Sequence, residues 1–221
     1  TLAAIGAALD GLAYAPTADY AGPDALTVTV DDLGNTGAGG PLTATATTAI
    51  TVTPVDDAPT VSVPGAQATN EDVALVFSTA NGNAITVGDV DAGASMVSVT
   101  LTGTNGTLTL ASLAGLTLVS GTGTADASVT VTGTLAAINV ALDGLRFDPT
   151  ADFNGAAGLS IAIDDLGNTG AGGPLAAAGS VSITVTAVND APTLTVPGTP
   201  YAATEGLTLA LAGTGLSIAD V

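Results

Sequence analysis

The feature that most constrains the fold of this chain is an internal repeat with a shift of 133 residues. The segment TLAAIGAALDGLAYAPTADY, which starts at Thr1, returns as TLAAINVALDGLRFDPTADF from Thr134. The same shift relates DDLGNTGAGGPL at Asp31 to its copy at Asp164 and extends to the motif DAPT. This period is longer than that of a solenoid repeat, so each copy is expected to be a domain of its own.

The repeat also predicts the domain boundaries. Residues 1–58 correspond to the last part of one copy, residues 59–191 to a complete copy, and residues 192–221 to the start of a third. The sequence therefore reads as a window onto a longer polypeptide of tandem domains. Because the loops of the copies match better than the strands, the acidic residues of those loops are expected to share one role.

Composition excludes several classes of function. The chain contains one Lys or Arg and 20 Asp or Glu residues, for a formal net charge of −19. Such a charge repels nucleic acid and anionic membrane surfaces and attracts divalent cations. Cysteine is absent, so no disulfide is expected. No apolar run approaches the roughly 18 residues that span a bilayer, so no membrane insertion is expected either.

Alternating apolar and hydroxyl-bearing residues predict β-strands with one dry face. The predicted strands are 25–30, 48–53, 97–102, 107–112, 128–133, 159–163 and 181–186. The pair Asn105-Gly106 predicts a hairpin between two of them, because both residues tolerate positive φ.

Each copy is also expected to contain one short helix. Thr134 can cap its start, Leu135, Ile138 and Leu142 fall on one helical face, and Gly144 can close its end. About seven strands and one helix per copy indicate an all-β chain of tandem Greek-key β-sandwich domains.

The acidic residues converge on two predicted joints between copies if the strands follow immunoglobulin order. Loops after the second and sixth strands then lie beside the entering linker and face the loop that precedes the sixth strand of the copy before. The first joint collects Asp19, Asp56, Asp57, Asp89, Asp91, Asp164 and Asp165. The second joint collects Glu71, Asp152, Asn189, Asp190 and Asp220.

Such clusters favour a bound cation. Two carboxylates about 5 Å apart repel by roughly 3 kcal/mol at an effective dielectric near 20, and a hard cation reverses the sign. Oxygen ligands from loops, with no His or Cys in the chain, suit Ca²⁺ better than zinc or copper. The alternative interpretation is that Asp and Asn occupy these loops only as turn formers.

Several motifs resemble those of the tandem cadherin-like repeats of giant secreted bacterial adhesins and biofilm proteins. They are VNDAPTLTVPG (188–198), VDDAPTVSVPG (55–65), NEDVAL (70–75), L-x-F-x-P-x-x-D-F-N-G (145–155) and DDLGNTGAGGPL. The resemblance covers essentially the whole chain and implies cadherin-like, immunoglobulin-like domains with calcium between them, outside the cell or on its surface.

The resemblance also implies roles for individual residues. Asn189-Asp190 corresponds to the linker motif, and Asp89 with Asp91 corresponds to the D-x-D motif. Glu71 and Glu205 match the first-strand acid, and Asp152 and Asp19 match the acid of the loop before the sixth strand. Ala187 and Ala191 stand where the family linker has Asp and Asn. These departures leave fewer ligands, so one or two ions per joint are expected rather than three.

Catalysis is not expected. The chain has no His, Cys or Lys and so lacks a conventional base for a Ser or Thr nucleophile. The segment GNTGAGG, at 34–40 and 167–173, lacks the Lys of a phosphate-binding loop and follows a strand without opening a helix, so it is interpreted as a hairpin tip.

Two functions remain, both extracellular. The first is a calcium-stiffened spacer, in which neighbouring repeats of one polypeptide hold a distal domain away from a cell. The second is a subunit of a self-assembling filament, sheath or surface layer, with lateral association through Thr-rich edges that carry no Lys. Glycan binding by the glycine-rich hairpin tips is a weaker third interpretation.

Overall fold

The computed structural model describes residues 1–34, 37–168, 170–211, 213 and 215–220. Over these residues the chain forms fifteen strands and two short helices, which confirms the all-β class. The helices are α1 (Leu2–Leu9) and α2 (Leu135–Leu142). The strands are β1 (Gly22–Asp31), β2 (Thr43–Val52), β3 (Thr60–Ser62), β4 (Gln67–Asn70), β5 (Leu75–Phe77), β6 (Thr86–Gly88), β7 (Met96–Thr104), β8 (Gly106–Thr109), β9 (Leu116–Ser120), β10 (Ser128–Thr134), β11 (Leu145–Pro149), β12 (Gly155–Asp164), β13 (Ala176–Thr186), β14 (Thr193–Thr195) and β15 (Ser217–Ala219).

Residues 59–191 form two larger sheets and one strand pair. The six-stranded sheet has the order β4-β13-β12-β7-β10-β9, the three-stranded sheet has the order β5-β11-β8, and β3 pairs with β6. Neighbouring strands are antiparallel except for β4, which runs parallel to β13. Strands β12 and β13 form a long hairpin, and the described residues at its end, 165–168 and 170–175, are called the hairpin tip below.

The two larger sheets and α2 share one hydrophobic core. Every second residue is buried over 97–101 in β7, 159–163 in β12 and 181–185 in β13, as the period-two pattern predicts. Each fully buried Val, Leu, Ile or Phe stabilises the fold by about 1.5–3 kcal/mol relative to exposure. The core residues from these three strands are Val97, Val99, Leu101, Leu159, Ile161, Ile163, Val181, Ile183 and Val185.

The predicted helix is present. Its N-cap is Thr134, whose hydroxyl accepts a backbone N–H of the first turn, and its C-cap is Asp143. Ile138 and Leu142 are buried in the core, and Leu135 packs against it while half-buried. The helix thus closes the core between β10 and β11.

The hairpin predicted at Asn105-Gly106 is wrong. Strand β7 pairs with β10 and β12, whereas β8 pairs with β11 in the other sheet, so this turn carries the chain from one sheet to the other. Asn105 does adopt a left-handed φ of 58°. Gly106 is needed for packing, because a Cβ atom there would lie 2.3 Å from the Phe147 ring. The sequence correctly predicts a turn at Asn105-Gly106, but the packing of the core determines which strands β7 and β8 pair with.

The number of strands also differs from the prediction. Residues 59–191 contain eleven strands, and seven of these have only three to five residues. All of the short strands except β8 were missed or left without bounds: β3, β4, β5, β6, β9 and β11. Asp89 and Asp91 therefore follow the fourth strand of this copy rather than the second, and Asp164 ends the tenth rather than the sixth. Strands this short offer too few positions for a period-two pattern to be recognised with certainty in the sequence.

The core belongs to residues 59–191. Ile138 is 1% exposed, whereas its counterpart Ile5 on α1 is 49% exposed. Phe147 is fully buried, whereas its counterpart Tyr14 is 42% exposed. The same sequence pattern is therefore buried in one copy and exposed in the other.

Candidate metal centre

Carboxylates meet at two places, one on each side of the complete copy. The first joint surrounds the linker 53–58, and the second joint surrounds residues 187–192. Both linkers run into the motif DAPT, at Asp57 and at Asp190, and the shift of 133 residues relates the two joints.

At the first joint the hairpin tip lies on the linker. The Asp56 N–H donates to the Ala171 carbonyl at 3.4 Å, and the Ala171 N–H donates to the Pro54 carbonyl at 3.1 Å. Gly170 makes this approach possible, because a Cβ atom there would stand 2.4 Å from the Asp56 nitrogen. The described residues of 167–173 thus belong to a hairpin tip, as predicted, and they hold the linker against the complete copy. Residues 35, 36 and 169 of the predicted tips lie outside the described residues.

Asp165 closes the base of the same tip. Its Oδ1 accepts the N–H groups of Gly167 at 2.7 Å and Leu175 at 2.9 Å. Its side chain is 3% exposed, and its Oδ2 is buried with no hydrogen-bond partner among the described residues. Asp165 therefore combines a turn-forming oxygen with a second oxygen that has no protein donor.

The carboxylate of Asp56 is buried with fewer hydrogen bonds than that of Asp165. It is 7% exposed, and within the described structure neither of its carboxylate oxygens has a hydrogen-bond partner. Burial raises the pKa of Asp56, and the charges of Asp165, Asp91 and Asp57 raise it further. The structure therefore brings four of the predicted acids into one electrostatic cluster.

Asp89 and Asp91 lie in the loop between β6 and β7 and face this cluster. Asp89 Oδ1 accepts the N–H groups of Asp91 and Ala92, each at 3.0 Å. Asp91 Oδ2 accepts the Asp57 N–H at 3.0 Å, which ties the loop to the linker. Burial and contact with the Asp91 carboxyl group raise the pKa of Asp89.

Asp19 reaches the first joint from the preceding copy. It occupies a left-handed turn with a φ of 59° and lines a cavity of about 330 Å³ together with Asp57 and Asp91. Asp164 forms a turn, because its Oδ1 accepts the Leu166 N–H at 2.8 Å. Among the described contacts, none links the Asp164 carboxylate to the other six acids predicted here.

No basic side chain offsets the cluster. Arg146 is the only Lys or Arg of the chain, and its guanidinium contacts Asp148. Burying a carboxylate without a hydrogen bond or a partner charge is costly. The donor set, with buried carboxylate oxygens and no nitrogen or sulfur ligand, fits a hard divalent cation.

The second joint contains a separate group of acids. Carboxylate oxygens of Asp72, Asp152 and Asp190 all lie within 4.8 Å of one another. Burial raises the pKa of Asp190, and the charges of Glu71, Asp152, Asp72 and Asp220 raise it further. The structure therefore brings the predicted acids Glu71, Asp152, Asp190 and Asp220 together.

Two predicted residues of the second joint have other contacts. The buried Glu71 donates its N–H to the Thr186 carbonyl at 2.9 Å, and its Oε1 accepts the Val188 N–H. Asn189 is exposed, and its Nδ2 donates to the Asp190 carbonyl at 3.3 Å. Glu71 thus anchors the start of the linker, while the amide of Asn189 contacts its own linker.

Asp72 was missed by the sequence analysis. It has a left-handed φ of 59°, and its Oδ1 accepts the Asp152 N–H at 3.4 Å. The third copy has Gly206 at the equivalent position, with a φ of 80°. A glycine at this position is typical of a left-handed turn. The sequence signal for Asp72 was therefore an acid that aligns with this glycine and directly follows Glu71.

No family model matches this chain, and no curated protein matches it. In the part of the chain that the structure describes, neither helix is long and apolar enough to cross a membrane.

Proposed function

We propose that this chain is a segment of tandem cadherin-like Greek-key β-sandwich domains whose joints bind Ca²⁺. Its function is that of a non-catalytic spacer in a large extracellular adhesin or biofilm protein of bacteria. The domains are residues 1–58, 59–191 and 192–221, as parts of three consecutive copies. Two antiparallel sheets around one core in residues 59–191 support the sandwich architecture.

The observation that carries this proposal is the state of Asp56. Its carboxylate is buried, has no hydrogen-bond partner among the described residues, and lies among Asp57, Asp91 and Asp165. Turn formation does not account for it, because turn-forming Asp side chains accept backbone N–H groups. A cation bound between Asp56 and Asp165 would supply the missing partner for both.

Calcium fits this site better than magnesium. Ca²⁺ accepts six to eight oxygen ligands in flexible geometry, whereas Mg²⁺ requires a near-ideal octahedron and keeps several waters. The ligands here come from the linker, the loop 89–91 and the hairpin tip, which are irregular segments. For extracellular modules of this type a Kd of about 10⁻⁴ to 10⁻³ M is expected.

The proposed stiffening of the joint follows from the origin of the carboxylates in three different segments. Asp19 comes from the preceding copy, Asp57 from the linker, and Asp91 from the complete copy, and all three line one cavity. A cation coordinated there links two domains through their linker and restricts bending between them. Without the cation, repulsion among the carboxylates would open the joint.

The test combines calorimetry and small-angle scattering on the chain. Titration with Ca²⁺ should release heat that fits at least one site, and the maximum dimension should be larger in millimolar Ca²⁺ than in chelator. Mg²⁺ at the same concentration serves as the control for ionic strength and should produce a smaller change. No calcium heat and an unchanged maximum dimension would exclude calcium-stiffened joints.

Lateral assembly is a second candidate function, favoured by the edge strand β9. This strand lies at the edge of the six-stranded sheet and exposes Leu118 and Val119. Exposed apolar edges promote strand pairing between chains. If they do so here, a Leu118→Lys variant should abolish the association of complete repeats; a wild-type chain that stays monomeric in Ca²⁺ would exclude lateral assembly.

A further inference from the structure

Strand β6 leads directly into the loop that carries Asp89 and Asp91. It spans only Thr86–Gly88, and within the described residues it pairs with β3 alone, in a separate two-stranded sheet. Two short paired strands are marginally stable by themselves. A further contact is therefore expected to fix the position of β6 and of the loop that follows it.

The side chain of Asn139 on α2 provides this contact. Its Oδ1 accepts the Val87 N–H at 3.0 Å, and its Nδ2 donates to the Val87 carbonyl at 2.9 Å. The same Nδ2 donates to the Leu135 carbonyl one helical turn earlier, at 3.0 Å, which fixes the orientation of the amide. Asn139 thus forms with Val87 the pair of hydrogen bonds that the backbone of an antiparallel neighbouring strand would form.

Burial makes these two hydrogen bonds important. Val87 belongs to the hydrophobic core, so its backbone groups lie away from water. A buried N–H or carbonyl group that loses its partner destabilises the conformation that buries it. Without the Asn139 amide, β6 would therefore tend to shift until its backbone groups found other partners.

The attachment continues from Val87 to the proposed calcium ligands. Asp89 follows β6 directly, and its Oδ1 accepts the N–H groups of Asp91 and Ala92. Asp91 Oδ2 accepts the Asp57 N–H of the linker. Short covalent and hydrogen-bonded steps therefore connect α2 to the first joint.

The two copies of the helix differ at this position. The first copy has Gly6 where the complete copy has Asn139, so it has no amide to offer there. Helix α1 nevertheless spans Leu2–Leu9 with Gly6 inside it. The helix does not depend on the amide, and the distinctive contribution of Asn139 is its contact with Val87.

We infer that Asn139 is a positioning residue for the calcium site of the first joint, an inference that rests on the proposed function. It acts through Val87 and holds Asp89 and Asp91 against the linker before the cation binds. Part of the calcium affinity of the joint is then set by a helix residue outside the joint. Copies with Asn and copies with Gly at this position are expected to differ in that affinity.

The variants Asn139→Ala and Asn139→Gly of residues 1–221 test the inference. Calcium affinity at the first joint should fall by about tenfold in both, because groups that orient metal ligands contribute about 10- to 100-fold to affinity. Alanine favours the helix and glycine disfavours it, so the same fall in both variants identifies the loss of the amide as the cause.

An NMR titration with Ca²⁺ resolves the two joints. The Asp91 N–H reports on the first joint and the Val188 N–H on the second, where Glu71 accepts it. Only the first joint should lose affinity. In chelator, the N–H groups of Asp91 and Ala92 should exchange about ten times faster with solvent in both variants than in the wild-type chain.

Two neighbouring residues of α2 provide the controls. Val140→Ala shortens an exposed side chain and should change neither joint. Ile138→Val shortens a buried core side chain and removes no hydrogen bond of Val87. It should lower the melting temperature and leave the calcium affinity of both joints unchanged.

The possible outcomes separate this inference from the proposed function. A wild-type chain that binds no calcium overturns both. Calcium binding at the first joint that is equal in the wild type and both Asn139 variants overturns the inference and leaves the proposed function intact. A similar loss at both joints, or in Ile138→Val, also overturns it, because the loss then reports general destabilisation. Unchanged exchange at Asp91 and Ala92 overturns it as well, since the loop would then not depend on Asn139.

Discussion

Gly170 lies directly against Asp56, so that a Cβ atom on Gly170 would stand 2.4 Å from the Asp56 nitrogen. The neighbouring Ala171 exchanges backbone hydrogen bonds with the linker at Pro54 and Asp56. The linker is therefore attached to the copy that follows it, by backbone contacts that do not require an ion. Bending at the first joint is expected on the other side, between the linker and residues 1–52.

The first prediction concerns Gly170→Ala. The added methyl group overlaps the linker, which should cost about 1–3 kcal/mol beyond the strain of an alanine at a φ of 102°. We expect the amide protons of Asp56 and Ala171 to exchange about ten to a hundred times faster with solvent. Calcium affinity at the first joint should fall as well, since Asp56 loses its fixed position.

Gly173→Ala is the matched control for this variant. Gly173 has a φ of 91°, so it carries comparable backbone strain, but no atom lies within 4 Å of its Cβ position. Hydrogen exchange measured by NMR should therefore separate the two variants. Equal protection of Asp56 in both would contradict a hairpin tip that holds the linker.

The second prediction concerns Asp56→Asn. The change preserves size and removes a buried charge that lies among Asp57, Asp91 and Asp165. We expect calcium affinity at the first joint to fall by about tenfold or more, which corresponds to at least about 1.4 kcal/mol. The melting temperature without Ca²⁺ should stay constant or rise, because repulsion is relieved.

Asp126→Asn provides a contrast. The Asp126 carboxylate accepts the N–H groups of Thr122 and Gly123, so it stabilises a turn and lies in no acidic cluster described above. Thr122 contacts both carboxylate oxygens of Asp126, and an asparagine has only one acceptor oxygen, so this variant should lower the melting temperature. The heat of calcium binding should stay unchanged. If Asp56→Asn behaved in the same way, Asp56 would be a structural residue rather than a ligand.

Long strands, the helix and most of the joint were predictable from the sequence. Strands such as β7 and β12 have one buried face, which imposes a period of two on the sequence. The acids of the first joint were grouped by assuming immunoglobulin strand order, and the repeat drew attention to them, because Asp19 and Asp57 recur as Asp152 and Asp190 at the same spacing.

Other features depend on contacts that no local pattern records. Strands such as β5 and β6 are too short for periodicity, and their positions are set by the partners that cover Phe77 and Val87. The role of Gly170 depends on a linker more than a hundred residues away. Asp72 was missed because its left-handed turn can be recognised in the sequence only by aligning Asp72 with Gly206, its counterpart in the third copy.

The third prediction concerns Asp72→Gly. Glycine adopts a φ near 59° freely, and Gly206 already occupies the equivalent position, so the backbone should be unaffected. The variant removes one of the three carboxylates that lie within 4.8 Å of one another. Calcium affinity at the second joint should fall, and the pKa of Asp190 should move toward its ordinary value.

Ala125→Gly is the control for the gain in backbone freedom. Ala125 is also left-handed, with a φ of 53°, but it carries no charge. Both variants should gain a similar small amount of stability. Only Asp72→Gly should change the calcium titration, and identical titrations would remove Asp72 from the site.

The fourth prediction concerns pH. The pKa values of Asp56, Asp89 and Asp190 are raised above the ordinary 3.8 by burial and by neighbouring carboxyl groups. The cation-free folded state therefore binds protons more tightly than the unfolded state. Its stability should rise as pH falls from neutral, through the raised pKa values, toward 3.8.

Calcium should act in the opposite direction over the same window. Protons compete with the cation for these carboxylates, so the calcium-induced rise in melting temperature should shrink as pH falls. Asp24 and Asp32 have lowered pKa values, so their contribution is lost only near and below 3.8. Melting curves with Ca²⁺ and with chelator test this, and a calcium effect that is constant down to about pH 4 would contradict it.

The last prediction concerns the double variant Asp89→Asn, Asp91→Asn. Asp89 Oδ1 accepts two backbone N–H groups and Asp91 Oδ2 accepts one, and an asparagine side-chain oxygen can keep those hydrogen bonds. The variant therefore preserves the turn and removes two negative charges.

If the acids are ligands, calcium affinity and the calcium-induced rise in melting temperature should both fall, while the cation-free protein stays folded or gains stability. If they only form the turn, neither calcium response changes. Unaltered calorimetric binding would remove both residues from the site and leave Asp56 and Asp165 as its only buried acids.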